Sequence, residues 1–176
     1  MTASAAPELP EVDALLAEMA SQLQTVLQQR GVVQRPYLVG VATGGVWLAN
    51  ALHQRLGLEG EAGVLSSGYY RDDLARSGLH PRLETTRLDA VDDRHIVLVD
   101  DVLYTGRTVR AALNELFDYG RPASVLLAVL ADRGGRQLPV QADVVGWRGE
   151  LPANFDQRLS GPQPLALKLK ERSRGK

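Results

Sequence analysis

The 176 residues contain no cysteine, which excludes disulfide frameworks, thiolate metal sites and a cysteine nucleophile. Histidine is scarce. His53, His80 and His95 show no metal-ligand spacing, so each reads as a surface or packing residue. Neither sign of charge dominates: 20 Lys and Arg against 21 Asp and Glu leave a formal net charge of -1, which gives no global electrostatic case for nucleic-acid binding. No apolar run approaches the length of a bilayer helix, and MTASAAPELP has no apolar signal core. A cytoplasmic protein without membrane contact is therefore expected. The P-loop and Rossmann glycine signatures are also missing, against those two modes of nucleotide binding.

What is present is an ordinary globular composition, 44% hydrophobic and 23% charged, without repeats. The length suits one α/β domain over residues 8–170, with loose tails at 1–7 and 171–176. Its organising stretch is HIVLVDDVLYTGRTVRAALNELFDYG, residues 95–120. Ile96 to Val99 form an apolar run without alternation, the pattern of a strand buried on both faces of a parallel sheet. Asp100 and Asp101 end that run. Val109, Ala112, Leu113, Leu116 and Phe117 then fall at helical spacing on one face, and Gly120 and Pro122 close the helix.

The loop between, Tyr104 to Thr108, has residue types that suit gripping a phosphate: Gly106 lets the backbone approach, and the Thr105 and Thr108 hydroxyls can donate. Amides of the turn and of the first helical turn converge on one point, where the helix dipole adds about half a positive charge. The two carboxylates upstream would repel a bare phosphate, so the ligand should carry hydroxyls or a bound cation beside them. Ribose 5-phosphate with Mg²⁺ satisfies both requirements.

Other elements fall into place around this stretch. Val12, Leu15, Leu16, Met19, Leu23, Val26 and Leu27 recur at three and four, an amphipathic helix over Leu9 to Leu27. Tyr37 to Ala42 reads as a core strand, Thr43-Gly44-Gly45 as a second small loop, and Trp47 to Leu56 as a helix. Ala62 to Leu65, Ser124 to Ala131 and Asp143 to Trp147 read as further strands, with Asp132-Arg133-Gly134-Gly135-Arg136 leaving the second of them. Leu165 to Leu169 alternates with Lys168 and Lys170 as an edge strand. Residues 66–81 form a long excursion of the kind that usually makes a lid.

VLVDDVLYTGRT resembles the phosphoribosyl diphosphate (PRPP) signature of type I phosphoribosyltransferases. DDVLYTGRTVRAAL, followed by GRPASVLLAVLADRGGRQLPVQAD and preceded by YYRDDL, is similar to the PyrR family of pyrimidine-operon attenuation regulators that are also uracil phosphoribosyltransferases. The likeness covers roughly Tyr37 to Gly146 and fades over WRGELPANFDQRLSGPQP. It implies an open, mostly parallel sheet flanked by helices, with a small hood. It further implies that Asp100 and Asp101 hold the ribose hydroxyls, that Val102 to Thr108 (Val102, Leu103, Tyr104, Thr105, Gly106, Arg107, Thr108) surround the 5-phosphate, and that Thr43 and Gly44 cradle pyrophosphate, often through a strained non-proline peptide. Arg71, with a weaker contribution from Arg76, would reach pyrophosphate from the excursion, Arg133 would sit beside base and pyrophosphate, and main-chain groups near Val145 and Leu159 would hold the base. Gly44 stands where the common family form has Arg, so one cation is missing from that loop.

On this resemblance the expected activity is uracil plus PRPP to UMP plus pyrophosphate. Mg²⁺ would be carried mainly by PRPP, touching Asp100 and Asp101 directly or through water, with no dedicated protein metal site. A homodimer or homotetramer is expected. An RNA-binding attenuator sensing UMP or UTP is the alternative, but residues 8–29 hold no Lys, Arg or His and the DRGHR spelling has lost its His. RNA binding is therefore expected to be weak or absent. A DNA-binding repressor would need a helix-turn-helix module, and the single first helix is too little for one.

Overall fold

A computed structural model describes residues 9–66, 85–151 and 155–171. The excursion that carries Arg71 and Arg76 lies outside the described residues, as does His80. Five strands, β1 (Tyr37–Val41), β2 (Gly63–Leu65), β3 (His95–Leu103), β4 (Ser124–Asp132) and β5 (Val144–Arg148), build one sheet in the order β2-β1-β3-β4-β5. All four pairings are parallel. This is the open α/β sheet expected, and the reason is local: β1 to β4 are apolar on both faces, so both faces must be covered.

Two apolar clusters cover them. Strand alternation sends Val97 and Val99 to one face, where α1 (Val12–Gln29) and α2 (Gly44–Arg55) pack with Leu16, Met19, Leu23, Leu48 and Leu52. Ile96 and Leu98 go to the other, against Val109, Ala112 and Leu116 of α3 (Arg107–Tyr119). Phe117 does not join them. It is 51% exposed, because α3 offers the sheet a stripe that includes Ala111 and leaves Phe117 on the solvent side.

Three boundaries differ from the sequence reading. β3 does not stop at the acids; its ladder with β4 continues through Asp100↔Val129 and Val102↔Ala131 to Leu103↔Asp132. Backbone pairing is indifferent to side-chain polarity once the partner strand is equally long. Helix α2 starts at Gly44, because the amides of Val46 and Trp47 both bond to the Thr43 carbonyl at 3.2 and 3.4 Å. The terminal strand is not an edge of the main sheet: β7 (Ala166–Glu171) pairs antiparallel with β6 (Phe155–Ser160) in a separate two-stranded sheet. The polar, alternating β6 sequence FDQRLS was not foreseen as a strand, and Pro162 and Pro164 sit in its connection to β7.

Candidate active site

The chain leaves β1 toward β2 on one side and β3 toward β4 and β5 on the other. The two strand-to-helix loops therefore part between β1 and β3, the place where open α/β sheets bind ligands beyond the carboxyl ends of the strands. Thr43 and Gly44 come from one loop, and Asp100 to Arg107 from the other.

These loops touch. A Cβ on Gly44 would lie 2.5 Å from Oδ2 and 2.8 Å from Cγ of Asp101, and one on Gly45 would be 3.2 Å from the Asp100 Cα. Two glycines at the start of α2 are what allow the helix N-terminus to press against the end of β3. The Ala42–Thr43 peptide is cis and not proline-linked. Alternation along β3 places Asp100 on the face of Ile96 and Leu98, and Asp101 on the face of Val97 and Val99. Asp100 is 2% exposed and Asp101 half-buried, so the acids are not the pair of solvated strand-end groups that the sequence suggests. One oxygen of each is fixed by the next amide: Asp101 N–H donates to Asp100 Oδ1, and Val102 N–H to Asp101 Oδ1, each at 2.9 Å.

Downstream, Gly106 takes φ 93° and caps α3, the left-handed conformation that glycine adopts without strain. The Arg107 amide donates to Thr105 Oγ1 at 3.3 Å, so part of the turn's hydrogen bonding is spent internally. Thr108 is half-buried in the first turn. The loop is tied sideways to the segment after β4: Gln137 N–H donates to the Thr105 carbonyl at 3.0 Å, and Arg107 Nε to Gln137 Oε1 at 3.1 Å.

The turn after β4 contributes most of the remaining charge. Arg133 is 11% exposed as a side chain. Its amide donates to the Leu103 carbonyl at 3.0 Å, and its guanidinium lies 4.9 Å from the Tyr104 ring centroid, a cation–π distance. Arg136 is committed inward. It donates to the Tyr104, Gly134 and Val140 carbonyls at 2.8, 3.2 and 3.0 Å and to Asp132 Oδ2 at 2.6 Å. Burial pushes the Asp132 carboxyl upward, but the Arg136 hydrogen bond, the Gly134 amide and the charges of Arg136 and Arg148 outweigh it, holding it below its ordinary value of 3.8. The four-residue spacing of acid and arginine in DRGGR was the available signal for this brace.

Asp132, Arg133, Gly134, Arg148, Gly149 and Glu150 line a cavity of about 310 Å³ at the ends of β4 and β5. The Val145 amide is taken by Gln22 Oε1 of α1 at 3.3 Å, and the Leu159 side chain packs in the core on the α1 and α2 side. Among the described residues, no group of three or more His, Asp or Glu side chains is placed to hold a metal ion. No described helix is long and apolar enough to cross a membrane.

Comparison with known proteins agrees with this geometry. The phosphoribosyl transferase domain family matches residues 8–155. A bifunctional protein PyrR of Nitrosococcus oceani is 52% identical over 164 residues, covering 90% of each chain. That of Pseudomonas paraeruginosa is 52% identical over 163 residues, covering 92% of this chain and 95% of its own. Solved structures share the fold at lower identity. A hypoxanthine phosphoribosyl transferase of Trypanosoma cruzi superposes with TM-score 0.61 at 24% identity over 88% of this chain and 84% of its own. A Bacillus anthracis hypoxanthine-guanine phosphoribosyltransferase gives 0.62 at 15% identity over 82% and 85%. Sheet order, the paired loops beside β1 and β3, and these relatives together show that the chain belongs to the phosphoribosyl transferase family and, within it, to the PyrR proteins.

Proposed function

We propose that this pentosyltransferase is a uracil phosphoribosyltransferase, converting uracil and PRPP to UMP and pyrophosphate. The observation that carries the choice of base is Tyr104. At the head of the phosphate loop, where purine-specific relatives often place an acid that faces the imidazole ring, this chain has an aromatic ring stacked against Arg133. With a tyrosine in place of the carboxylate at that position, a purine ring nitrogen meets no acid there, and uracil, with two carbonyls and ring N–H groups, is served by main-chain and guanidinium donors.

Departure of pyrophosphate leaves a cation-like ribose, so rate comes from positioning and from charge placed in advance. In this reading Asp100 and Asp101 accept from the ribose hydroxyls and face the developing positive charge. Their amide-fixed oxygens mean little reorganisation is needed as that charge grows. Thr105, Gly106, Arg107 and Thr108 hold the 5-phosphate at the N-terminus of α3. Thr43 and Gly44 line the pyrophosphate side, which Arg133 and, from outside the described residues, Arg71 and Arg76 supply with positive charge.

The donor set fits Mg²⁺ delivered by PRPP: two carboxylates at the end of one strand, the arrangement usual for a cation that keeps its waters and substrate oxygens. When bound, the ion offsets charge on pyrophosphate. RNA binding is expected to be weak, for α1 presents Glu11, Asp13 and Glu18 to solvent and the Arg136 guanidinium is engaged by protein acceptors. The test is PRPP-dependent nucleotide formation with uracil, orotate, hypoxanthine, guanine and adenine supplied singly. Uracil should give the highest kcat/KM, and a faster reaction with hypoxanthine or guanine would overturn the assignment.

A further inference from the structure

Arg133 is gripped from the far side of the site by a strand that no motif marks. Its Nη1 lies 3.3 Å from Asp156 Oδ1, and its Nη2 donates to the Phe155 carbonyl at 3.2 Å. Both acceptors belong to β6, whose register with β7 pairs Asp156 with Lys170 and Phe155 with Glu171. On its third side the guanidinium faces the Tyr104 ring. That ring is held in turn, for the backbone of Gly135 packs so closely that a Cβ there would be 2.9 Å from Tyr104 Cδ2. The guanidinium plane is thus set by an aromatic face from the phosphate loop and by a carbonyl and a carboxylate from β6. Its Nε is buried and has no partner among the described residues.

We propose that Asp156 is a positioning residue, fixing the Arg133 guanidinium over Tyr104 so that its donors face base and pyrophosphate. An Arg side chain has many rotamers, and ordering it costs side-chain entropy. Here folding of the β6–β7 ribbon meets that cost before substrate arrives, which is preorganisation in its ordinary sense. Asp156 is 41% exposed as a side chain, so it adds little to stability as a surface ion pair. Its consequence should be seen in catalysis. The inference rests on the transferase reading above, and in particular on Arg133 lying at the reacting groups.

The test is a double-mutant cycle read in kcat and in KM for PRPP and uracil. Asp156→Asn keeps the shape and removes the charge; kcat should fall about fivefold to tenfold, KM for PRPP should move less than twofold, and the melting temperature should be unchanged. Asp156→Glu should recover at least half of the lost rate. In an Arg133→Ala background, adding Asp156→Asn should cost less than twofold, because the group it positions is gone. If Arg133→Ala is impaired while Asp156→Asn turns over at the native rate, the positioning role is wrong. Equal losses from Asp156→Asn with and without Arg133 would also refute it, pointing to a general effect on the ribbon. If Arg133→Ala itself reacts at the native rate, the placement of Arg133 in the site fails instead. Should Asp156→Asn lower the melting temperature, Lys170→Ser, which changes the residue facing Asp156 on β7 and keeps the tether to Arg133, is the control: its kcat should stay native, and a loss equal to that of Asp156→Asn would refute the positioning role.

Discussion

The two flanks of the site are built on different terms. On the β1 and β3 flank, main chain meets main chain: glycines at the start of α2 press on the end of β3, and each carboxylate is fixed by the amide that follows it. On the β4 and β6 flank, side chains meet across gaps, with Arg133, Arg136, Asp132 and Asp156 linking a turn, a loop and a ribbon. The first flank is rigid because backbone geometry leaves no alternative. The second is rigid only as far as its ion pairs and stacking hold it. A transferase has use for both, since the sugar phosphate demands one fixed geometry while the base is what distinguishes one relative from another.

The largest effect should follow from removing charge on the backbone flank. Asp101→Asn, and likewise Asp100→Asn, should lower kcat/KM by about 10²-fold or more while the protein still folds, as expected for one preorganised electrostatic group; steady-state rates and a melting curve check both halves. The buried position of Asp100 makes its melting curve the sharper control. Next is Gly44→Ala. A Cβ there would meet the Asp101 carboxylate, so the acid must rotate away, and kcat should drop about tenfold with little change in KM for uracil. A native rate in this variant would mean that Asp101 need not hold its observed orientation.

On the side-chain flank, Asp132→Asn should cost about 1–3 kcal/mol of stability near neutral pH, because Arg136 loses the carboxylate that holds it. The sign with pH is fixed by the direction of the shift. The Asp132 carboxyl is held below its ordinary value in the fold, so its contribution is complete above pH 3.8 and disappears as pH falls through the lower folded value. Denaturant unfolding of wild type and variant should therefore converge in acid, and a gap that persists there would place the stabilisation elsewhere. The smallest effect concerns α1: leader RNA titrated at physiological salt, with and without UMP, should show only weak, salt-sensitive association.

How much of this could be read from residues alone follows the same division. The meeting of Thr43 with Asp100, Asp101, Thr105 and Gly106 at two neighbouring strand-to-helix loops was legible as local structure, because a strand ending, a glycine turn and a helix start leave a contiguous spelling. Arg133 was legible as the residue leaving β4, but its partners were not. Asp156 is 23 residues away on a strand whose alternation of Phe155, Gln157 and Leu159 with Asp156, Arg158 and Ser160 is ordinary in composition. The inward commitment of Arg136 was hidden for a related reason: three of its acceptors are carbonyls, and main chain has no spelling. Val145 and Leu159 were carried by resemblance alone, as main-chain contacts, and their side chains are buried.

One competition assay tests the central claim most directly. With equimolar uracil and guanine and limiting PRPP, product nucleotides are separated and counted. A site with Tyr104, stacked on Arg133, in the place of the purine-specific relatives' acid should yield UMP as the dominant nucleotide with stoichiometric pyrophosphate. GMP in excess of UMP would contradict the account.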